Sequence, residues 1–167
     1  MKALVPLDGS ENSLRIFETV RKLLGLQPEF EIHLLEVRDP RAVHGSQDHT
    51  LSEPPSVTVG KAAVTAPLPR VVESRGEAMD RDTIETRTRL AAIAAREVPG
   101  AAAFIHVLHA SSAADAIKEL ADELEADVIV MATHGRTGLR HLIAGSVTEA
   151  LMRTSSRPVL VQGPAAG

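Results

Sequence analysis

The order of apolar runs along the chain predicts an α/β fold in which five parallel strands are covered by helices on both faces. Strand-like runs alternate with segments whose apolar residues recur at helical spacing. The run Asp127–Ala132 (DVIVMA) is almost continuously apolar, as expected for a strand covered on both sides. By analogy with other sheets of this class, we expect a doubly wound, Rossmann-like strand order, 3-2-1-4-5.

Five short apolar runs provide the predicted strands. They are Lys2–Pro6, Phe30–Val37, Ala102–Leu108, Asp127–Ala132 and Pro158–Gln162. Between the first two runs, apolar residues recur at helical spacing after Ser10. We expect Ser10 to cap this first helix and Gly25 to end it.

Three more helices are predicted. A highly charged, solvent-facing helix is expected within Glu73–Val98. Its apolar stripe would consist of Ile84, Ala91, Ala94 and Val98. Ser111 or Ser112 is expected to cap the next helix, and the last helix should start near Gly145-Ser146.

A proline-rich insertion at residues 39–75 interrupts this alternation. Asp39–Ser74 contains half of the chain's 10 prolines and shows no sustained periodicity. Proline and glycine at this density are typical of a long loop. We therefore expect a mobile insertion within a single domain of residues 1–167, a length that suits one hydrophobic core.

The composition excludes several classes of protein. The chain has 18 Lys and Arg and 22 Asp and Glu, which gives a net charge of −4 with neutral histidines. Nucleic acid is therefore not expected as a partner. The absence of cysteine excludes disulfides, thiolate metal sites and a thiol nucleophile. No apolar run approaches the roughly 20 residues of a membrane span, and the first residues do not resemble a signal peptide. A cytoplasmic protein without a membrane partner is expected.

A glycine-rich segment after the fourth predicted strand is suited to holding phosphate. Gly135 and Gly138 permit close approach of the backbone, and Gly145-Ser146 would open a helix whose free N–H groups attract anions. Arg136 and Arg140 supply positive charge. The alternative is a solvated turn that needs glycine only for its geometry. The segment matches neither the Walker pattern nor GxGxxG.

Asp8 directly follows the first predicted strand. Ligands of doubly wound sheets bind at the carboxyl ends of the strands that flank the change in direction, here the first and the fourth. Asp8 and the glycine-rich segment are therefore expected at one site, where Asp8 would accept a hydrogen bond from a ribose hydroxyl or an adenine amino group. Its alternative role is to cap the first helix.

With these motifs the chain resembles the ATP-binding branch of the universal stress protein family. The pattern of that branch looks like Gly-x2-Gly-x9-Gly-(Ser/Thr) after the fourth strand, together with an Asp after the first strand. This chain has Ala132-x2-Gly135-x9-Gly145-Ser146, and LVPLDGS around Asp8. The segments VIVMATHGRTG and GSVTEALMRTSSRPVLV are also close to the family's usual sequence. The resemblance covers nearly the whole chain apart from the proline-rich insertion.

The resemblance implies a stress-response regulator that binds ATP or AMP, with or without Mg²⁺, as a soluble homodimer paired through residues 158–162. Adenosine would lie against Pro6, Leu7, Asp8, Val37, Met131 and Ala132. The phosphates would lie against Gly135, Arg136, Gly145, Ser146 and Val147. Ala132 replaces a glycine of the family pattern, and its methyl group would crowd the ribose if the backbone there must take a positive φ or touch the ligand.

The histidines have simpler explanations than metal binding. One group has a chelating spacing but falls in the insertion, where a solvated loop is the simpler interpretation: His44, Asp48 and His49. A second group falls on predicted strands as ordinary half-buried histidines: His33, His106 and His109. His134 would contact a phosphate or only shape the turn. No metal site is predicted.

Three functions remain open from the sequence. The spacing from Gly135 to Gly145-Ser146, together with Asp8, favours a nucleotide-binding regulator. Ala132 favours an interaction protein of the same fold that binds no nucleotide. A slow ATPase or a nucleotidyl transferase is the third, but no HxGH motif or nucleophilic serine elbow is present and Asp8 is the only candidate ligand for a catalytic Mg²⁺. The residues thus support binding better than turnover, and no catalytic residue is predicted.

Overall fold

The computed structural model describes residues 1–27, 29–43, 74–132 and 146–163. They contain a parallel sheet of five strands in the order β3-β2-β1-β4-β5, so the predicted strand order is confirmed. The strands are β1 (Lys2–Leu7), β2 (Glu31–Arg38), β3 (Ala102–His109), β4 (Val128–Ala132) and β5 (Val159–Gln162). Each boundary lies within one residue of the prediction because long apolar runs are the clearest local signal of a buried strand.

Helices cover both faces of the sheet, as predicted. They are α1 (Ile16–Leu26), which continues a 3-10 turn over Glu11–Arg15, α2 (Arg75–Glu97), α3 (Ala113–Glu123) and α4 (Ser146–Thr154). The core under α1 and α2 contains Val5, Phe17 and Leu90. The core under α3 and α4 contains Leu4 and Leu151. Val5 and Leu4 enter different cores because successive side chains of a strand point to opposite faces.

Serine side chains begin the first and third helical segments. The Ser10 Oγ accepts a hydrogen bond from the Ser13 N–H at 3.3 Å, which confirms the predicted cap. Ser112 rather than Ser111 caps α3, and its Oγ accepts from the Asp115 N–H at 3.3 Å. Each bond satisfies a backbone donor that has no partner within the helix.

The prediction that Gly25 ends the first helix was wrong. Gly25 lies inside α1, which continues to Leu26 and ends at Gln27. Gln27 has extended backbone, with φ −143°, and its N–H donates to the Leu23 carbonyl at 3.2 Å. The helix therefore ends without the left-handed residue that makes glycine useful at such a position.

The predicted apolar stripe of α2 was partly wrong. Ala94 and Val98 are buried as expected, but Ile84 is 65% exposed and Ala91 is also exposed. The row that packs on the sheet is Thr86, Leu90 and Ala94, spaced by four residues. Ile84 and Ala91 lie on a neighbouring row, rotated by roughly a third of a turn. Only the sheet decides which of the two rows is covered.

The predicted insertion at residues 39–75 ends where α2 begins, at Arg75. Ser74 and Glu77 form a reciprocal capping box, which was not predicted from the sequence. The Arg75 Nη2 donates to the Pro40 carbonyl at 2.9 Å, so the two ends of the insertion lie side by side. The remainder of the predicted mobile loop, residues 44–73, lies outside the described residues.

Candidate functional site

The carboxyl ends of β1 and β4 lie next to each other where the chain changes direction. Ala3 pairs with Val128 and Leu4 with Ile129, so the two strands run side by side. The segment after β1 continues into α1 on one face, whereas α4 packs on the opposite face. The two chain paths diverge and leave a crevice between them, which is where open α/β sheets place their ligands.

A cavity of about 250 Å³ occupies this crevice. Most residues that the sequence singled out line it together. They are Pro6, Leu7, Asp8, Val37, Met131, Ala132, Ser146 and Val147. The other predicted site residues, Gly135, Arg136 and Gly145, lie outside the described residues, as does His134. The structure thus brings together the residues expected around adenosine, along with two of those expected near phosphate.

Asp8 is exposed at the mouth of the cavity and also organises the turn after β1. Its Oδ1 accepts two hydrogen bonds from Ser10, at 3.1 Å from the backbone N–H and 2.8 Å from the hydroxyl. The helix cap itself is Ser10, so the alternative that Asp8 caps the helix was wrong. Asp8 instead supports the capping serine, an arrangement typical of an Asx turn.

Gly9 allows this turn to close against a buried carboxylate. Its φ is +79°, a left-handed conformation that side chains other than glycine adopt at a cost. A Cβ at this position would lie 3.5 Å from the Glu36 Oε1 and 3.8 Å from the Arg89 guanidinium. The turn that carries Asp8 therefore packs directly on Glu36 and Arg89.

Glu36 belongs to an ionic network behind the cavity. It is 1% exposed and accepts from the Arg89 Nη2 at 2.6 Å and from the Arg38 Nη1 at 3.3 Å. Arg38 also forms two hydrogen bonds with Asp82, at 2.8 and 3.1 Å, and His109 lies 3.2 Å from the same carboxylate. The Arg38 hydrogen bond holds the pKa of Asp82 below its usual value. The network links β2, α2 and β3 at the carboxyl end of the sheet.

Ala132 is the last residue of β4 and lies beside Gln162 of β5. Among the described residues, the only positive φ outside glycine belongs to Glu125, so Ala132 does not have the left-handed backbone that would make alanine unfavourable there. Its side chain packs against the core under α1 and α2. The replacement of glycine by alanine at this position therefore causes no backbone strain.

The amino-terminal end of α4 forms another wall of the cavity. The helix begins at Ser146, which is exposed, and the Thr148 side chain is almost fully buried while lining the cavity. Unpaired N–H groups at the start of a helix carry partial positive charge and favour anions. The cavity therefore combines apolar walls with a polar end.

Four residues that line the cavity were not predicted from the sequence. They are Ser13, Ala113, Ile117 and Thr148. The spacing of Ala113 and Ile117 indicated only a core-facing helix, and nothing local shows that this face also borders a cavity. Thr148 was open to detection, because it follows Ser146 in the first turn of the predicted last helix. Ser13 could not be identified from the sequence as a lining residue. In the structure its hydroxyl donates to the Ser10 carbonyl at 2.7 Å, a contact within the turn before α1.

The strand histidines only partly match the expectation of ordinary half-buried side chains. His109 lies 3.2 Å from Asp82, on the face that carries α2. His33 is 6% exposed, and its Nδ1 lies 3.0 Å from the His106 Nε2. The other ring nitrogen of His33, Nε2, is buried without a hydrogen-bond partner. His44, Asp48 and His49 lie outside the described residues.

The described residues contain neither a cluster of metal-binding side chains nor a helix that could span a membrane. No group of three or more His, Cys, Asp or Glu side chains is arranged to hold a metal ion within residues 1–27, 29–43, 74–132 and 146–163. None of the helices in those ranges is long and apolar enough to cross a membrane.

Comparison with known proteins gives one family for nearly the whole chain. The model of the universal stress protein family matches residues 1–162. Universal stress protein MJ0577 of Methanocaldococcus jannaschii is 27% identical over 160 residues, which cover 96% of this chain and 93% of that protein. Universal stress protein MJ0531 of the same organism is 46% identical over 48 residues, 29% of this chain and 28% of its own length.

Solved structures have the same fold. That of MJ0577 superimposes with a TM-score of 0.65 at 25% identity, covering 99% of this chain and 97% of that one. A universal stress protein in complex with cAMP gives 0.60 at 17% identity, with 99% and 98% covered. The Archaeoglobus fulgidus protein in complex with dAMP gives 0.55 at 18% identity, with 96% of each chain covered. At these two lower identities the likeness demonstrates a shared fold.

Proposed function

Because the chain belongs to the universal stress protein family, we propose that it binds an adenine nucleotide, ATP or AMP, in the cavity between β1 and β4. The protein would act as a cytoplasmic regulator in the stress response, with the bound nucleotide as its signal. The observation that carries this proposal is the cavity itself, which gathers the residues expected around adenosine from three separate segments of the chain.

The chemistry of the walls suits a nucleoside. Apolar side chains of Val37, Ile117 and Met131 provide surfaces for a flat heterocycle. Asp8 is the carboxylate among the described lining residues, and carboxylate oxygens accept hydrogen bonds from ribose hydroxyls or an adenine amino group. Ser146, at the start of α4, lies where a phosphate would gain from the helix N–H groups.

The phosphate end of the proposed site depends on the glycine-rich segment. By resemblance, Gly135, Arg136 and Gly145 would hold the phosphates together with Ser146 and Val147. Mg²⁺, if it accompanies ATP, would bind mainly to phosphate oxygens and water, with Asp8 as the protein carboxylate within the cavity. Relatives in complex with cAMP and dAMP support an adenine nucleotide as the ligand class.

The interaction protein without nucleotide is the second candidate function. It was favoured by Ala132, whose methyl group was expected to disturb the site. The extended backbone of Ala132 removes the part of that objection that concerns backbone strain, although the residue still lines the cavity. A slow ATPase or nucleotidyl transferase has less support, because Asp8 is the one acidic group among the described residues of the cavity wall and is already engaged by Ser10.

The proposed active form is a homodimer that pairs through residues 158–162. Within the described part of the chain, β5 bonds to β4 on one side, which leaves its other edge available. Leu160, at the middle of this edge strand, is 39% exposed. An apolar edge strand is prone to pair with another strand, and a second copy of β5 would satisfy its free backbone groups.

The ultraviolet spectrum of the purified protein tests the proposed ligand directly. The chain has no Trp or Tyr and only 3 Phe, so a bound adenine nucleotide would dominate the absorbance. We expect acid to release ATP, AMP or ADP, identified by chromatography. A spectrum that stays empty after incubation with Mg·ATP and desalting would overturn the proposal and favour the interaction protein.

A pair of matched variants assigns the released nucleotide to the cavity. Ala113→Leu would extend an apolar side chain into the cavity, and we expect it to abolish co-purification. Ala91→Leu makes the same change on the exposed side of α2 and should retain wild-type nucleotide content. Equal content in both variants would place the nucleotide elsewhere.

A further inference from the structure

A second cavity, of about 370 Å³, lies between α2 and the turn that follows β1. We call it the α2 cavity. Its volume falls in the range of roughly 300–1,000 Å³ that is usual for small-molecule sites. The residues of α2 that line it share one face of the helix because they are spaced by three or four positions: Arg89, Ala92, Ile93 and Arg96. The opposite wall includes Leu7, Glu11, Ser13 and Leu14.

Apolar side chains line part of the α2 cavity. Leu7 is 5% exposed and belongs to the core under α1 and α2, and Leu14 and Ile93 pack against the same core. Ala92 is exposed, and its short side chain leaves space on the helix between the two arginines. A ligand with an apolar body would therefore remove that body from water against Leu14 and Ile93.

Arg96 leaves positive charge at one end of the α2 cavity. Its Nε donates to the Glu97 carboxylate at 2.9 Å, and the Arg21 Nη1 donates to the same carboxylate at 2.9 Å. One carboxylate thus serves two guanidinium groups, so a net positive charge remains. Among the described residues, Nε is the nitrogen through which Arg96 makes its side-chain hydrogen bond. Its two terminal nitrogens are therefore available to bind a carboxylate by two parallel hydrogen bonds.

Glu11 limits the charge that the α2 cavity accepts. It is the acidic side chain among the described lining residues, whereas Arg89 and Arg96 are the basic ones, so the lining carries one net positive charge. Arg89 also donates to the buried Glu36 at 2.6 Å, which offsets part of its charge. A monoanion would balance this lining, while a second negative charge would be repelled by Glu11.

We propose that the α2 cavity binds a small organic monocarboxylate with an apolar body. The carboxylate lies on Arg96 and the body lies against Leu14 and Ile93. The site is separate from the cavity between β1 and β4, because the described lining residues that the two cavities share are only Leu7 and Ser13, at 5% and 4% exposure. The inference therefore does not depend on the proposed nucleotide binding.

Titration calorimetry of the full chain with hexanoate tests the chemistry of the site. We expect wild type to bind one equivalent of hexanoate. Acetate should bind at least about tenfold more weakly, because its missing methylene groups no longer leave water. Hexylammonium has the same length of chain and the opposite charge, and it should not bind measurably. Absence of hexanoate binding at millimolar concentration, or equal binding of hexylammonium, would overturn the proposal.

Two pairs of variants place the hexanoate in the α2 cavity. Ala92→Leu should fill the cavity and abolish binding, whereas Ala91→Leu, at the neighbouring exposed position outside the cavity, should bind like wild type. Arg96→Met should weaken binding at least about tenfold, as expected when a charged hydrogen bond is lost. Arg81→Met, which removes another α2 arginine that pairs with a glutamate, should leave the affinity unchanged.

The outcome stays decisive because the changed positions are exposed on a helix, where leucine and methionine are good helix formers and both variants should fold. Unchanged hexanoate affinity in Ala92→Leu and in Arg96→Met would overturn the proposal. Ala113→Leu, which fills the cavity between β1 and β4, should retain hexanoate binding. Loss of binding in that variant would place the hexanoate in the other cavity and overturn the proposal as well.

Discussion

The Arg89 side chain on α2 donates to the buried carboxylate of Glu36 on β2, with 2.6 Å between Nη2 and Oε2. Glu36 is 1% exposed, whereas the Arg89 side chain is 41% exposed, so the pair joins a buried anion to a cation near the surface. The same two side chains lie within 4 Å of the position that a Cβ would occupy at Gly9. Through this contact α2 supports the turn that places Asp8 at the cavity.

Arg89→Met should destabilise the protein markedly. The change leaves the buried Glu36 carboxylate with only the longer Arg38 contact, at 3.3 Å. Removal of one partner of a buried ion pair costs about 3 kcal/mol or more, and we expect a loss near that value in urea unfolding. Arg96→Met, on the same helix, breaks a partly exposed pair with Glu97 and should cost less than about 1 kcal/mol. Equal losses of stability in the two variants would show that the burial of Glu36 does not raise the cost of breaking its ion pair.

Gly9→Ala and Gly25→Ala should change stability in opposite directions. Gly9 has φ +79°, so alanine there is expected to cost about 1–2 kcal/mol. Gly25 lies inside α1 with open space where a Cβ would go, so alanine there should stabilise by about 0.5 kcal/mol. Thermal unfolding of both variants under one condition measures the difference. A destabilised Gly25→Ala would contradict the observed extent of α1.

Asp8 has a proposed ligand role and an observed structural role, which two substitutions separate. Asp8→Ala removes both, and nucleotide affinity should fall by about 1–3 kcal/mol if a buried hydrogen bond is lost. Asp8→Asn retains an oxygen that accepts from Ser10, so its melting temperature should stay near that of wild type while affinity still falls. Calorimetry with AMP and with Mg·ATP gives the affinities. Unchanged affinity combined with lower stability in Asp8→Ala would assign Asp8 to the turn alone.

Stability should decrease in acid because of Asp82. Its hydrogen bond with Arg38 holds the folded-state pKa below the ordinary value of 3.8. A carboxyl group with a depressed folded pKa contributes stability above its unfolded pKa and loses it as the pH falls through the folded pKa. Urea unfolding at about pH 5 and about pH 3 should show a steeper loss for wild type than for Asp82→Asn. Asp80→Asn, an exposed change of equal charge on α2, should behave like wild type.

Leu160→Lys tests the proposed dimer. A charge at the centre of the β5 edge strand should prevent pairing with a second copy, as lysine does on natural edge strands. Light scattering after gel filtration should give a dimer mass for wild type and a monomer mass for this variant. Leu26→Lys changes a more exposed leucine, 82% accessible at the end of α1, and should remain dimeric. A monomeric wild type would refute the assembly.

Much of the fold could be predicted because its signals are local. The apolar runs at Lys2–Leu7 and Val128–Ala132 are strands in the structure, and Ser10 caps the helix that follows it. The strand order also followed, because alternating strands and helices leave few ways to build a parallel sheet. That order alone brought Asp8 and Ala132 to the same crevice.

The remaining features depend on residues that are distant in sequence. Glu36 and Arg89 are 53 positions apart, and His33 and His106 are 73 apart, so no local pattern marks either pair. The covered row of α2 was mispredicted because Ile84 and Leu90 are equally apolar, and only the sheet beneath the helix selects Leu90. The sequence alone thus determined the strands, their order and the position of the cavity between β1 and β4, since periodicity and chain connectivity are local properties. Tertiary packing decided which side chains are buried together, because that depends on which segments the sheet places face to face.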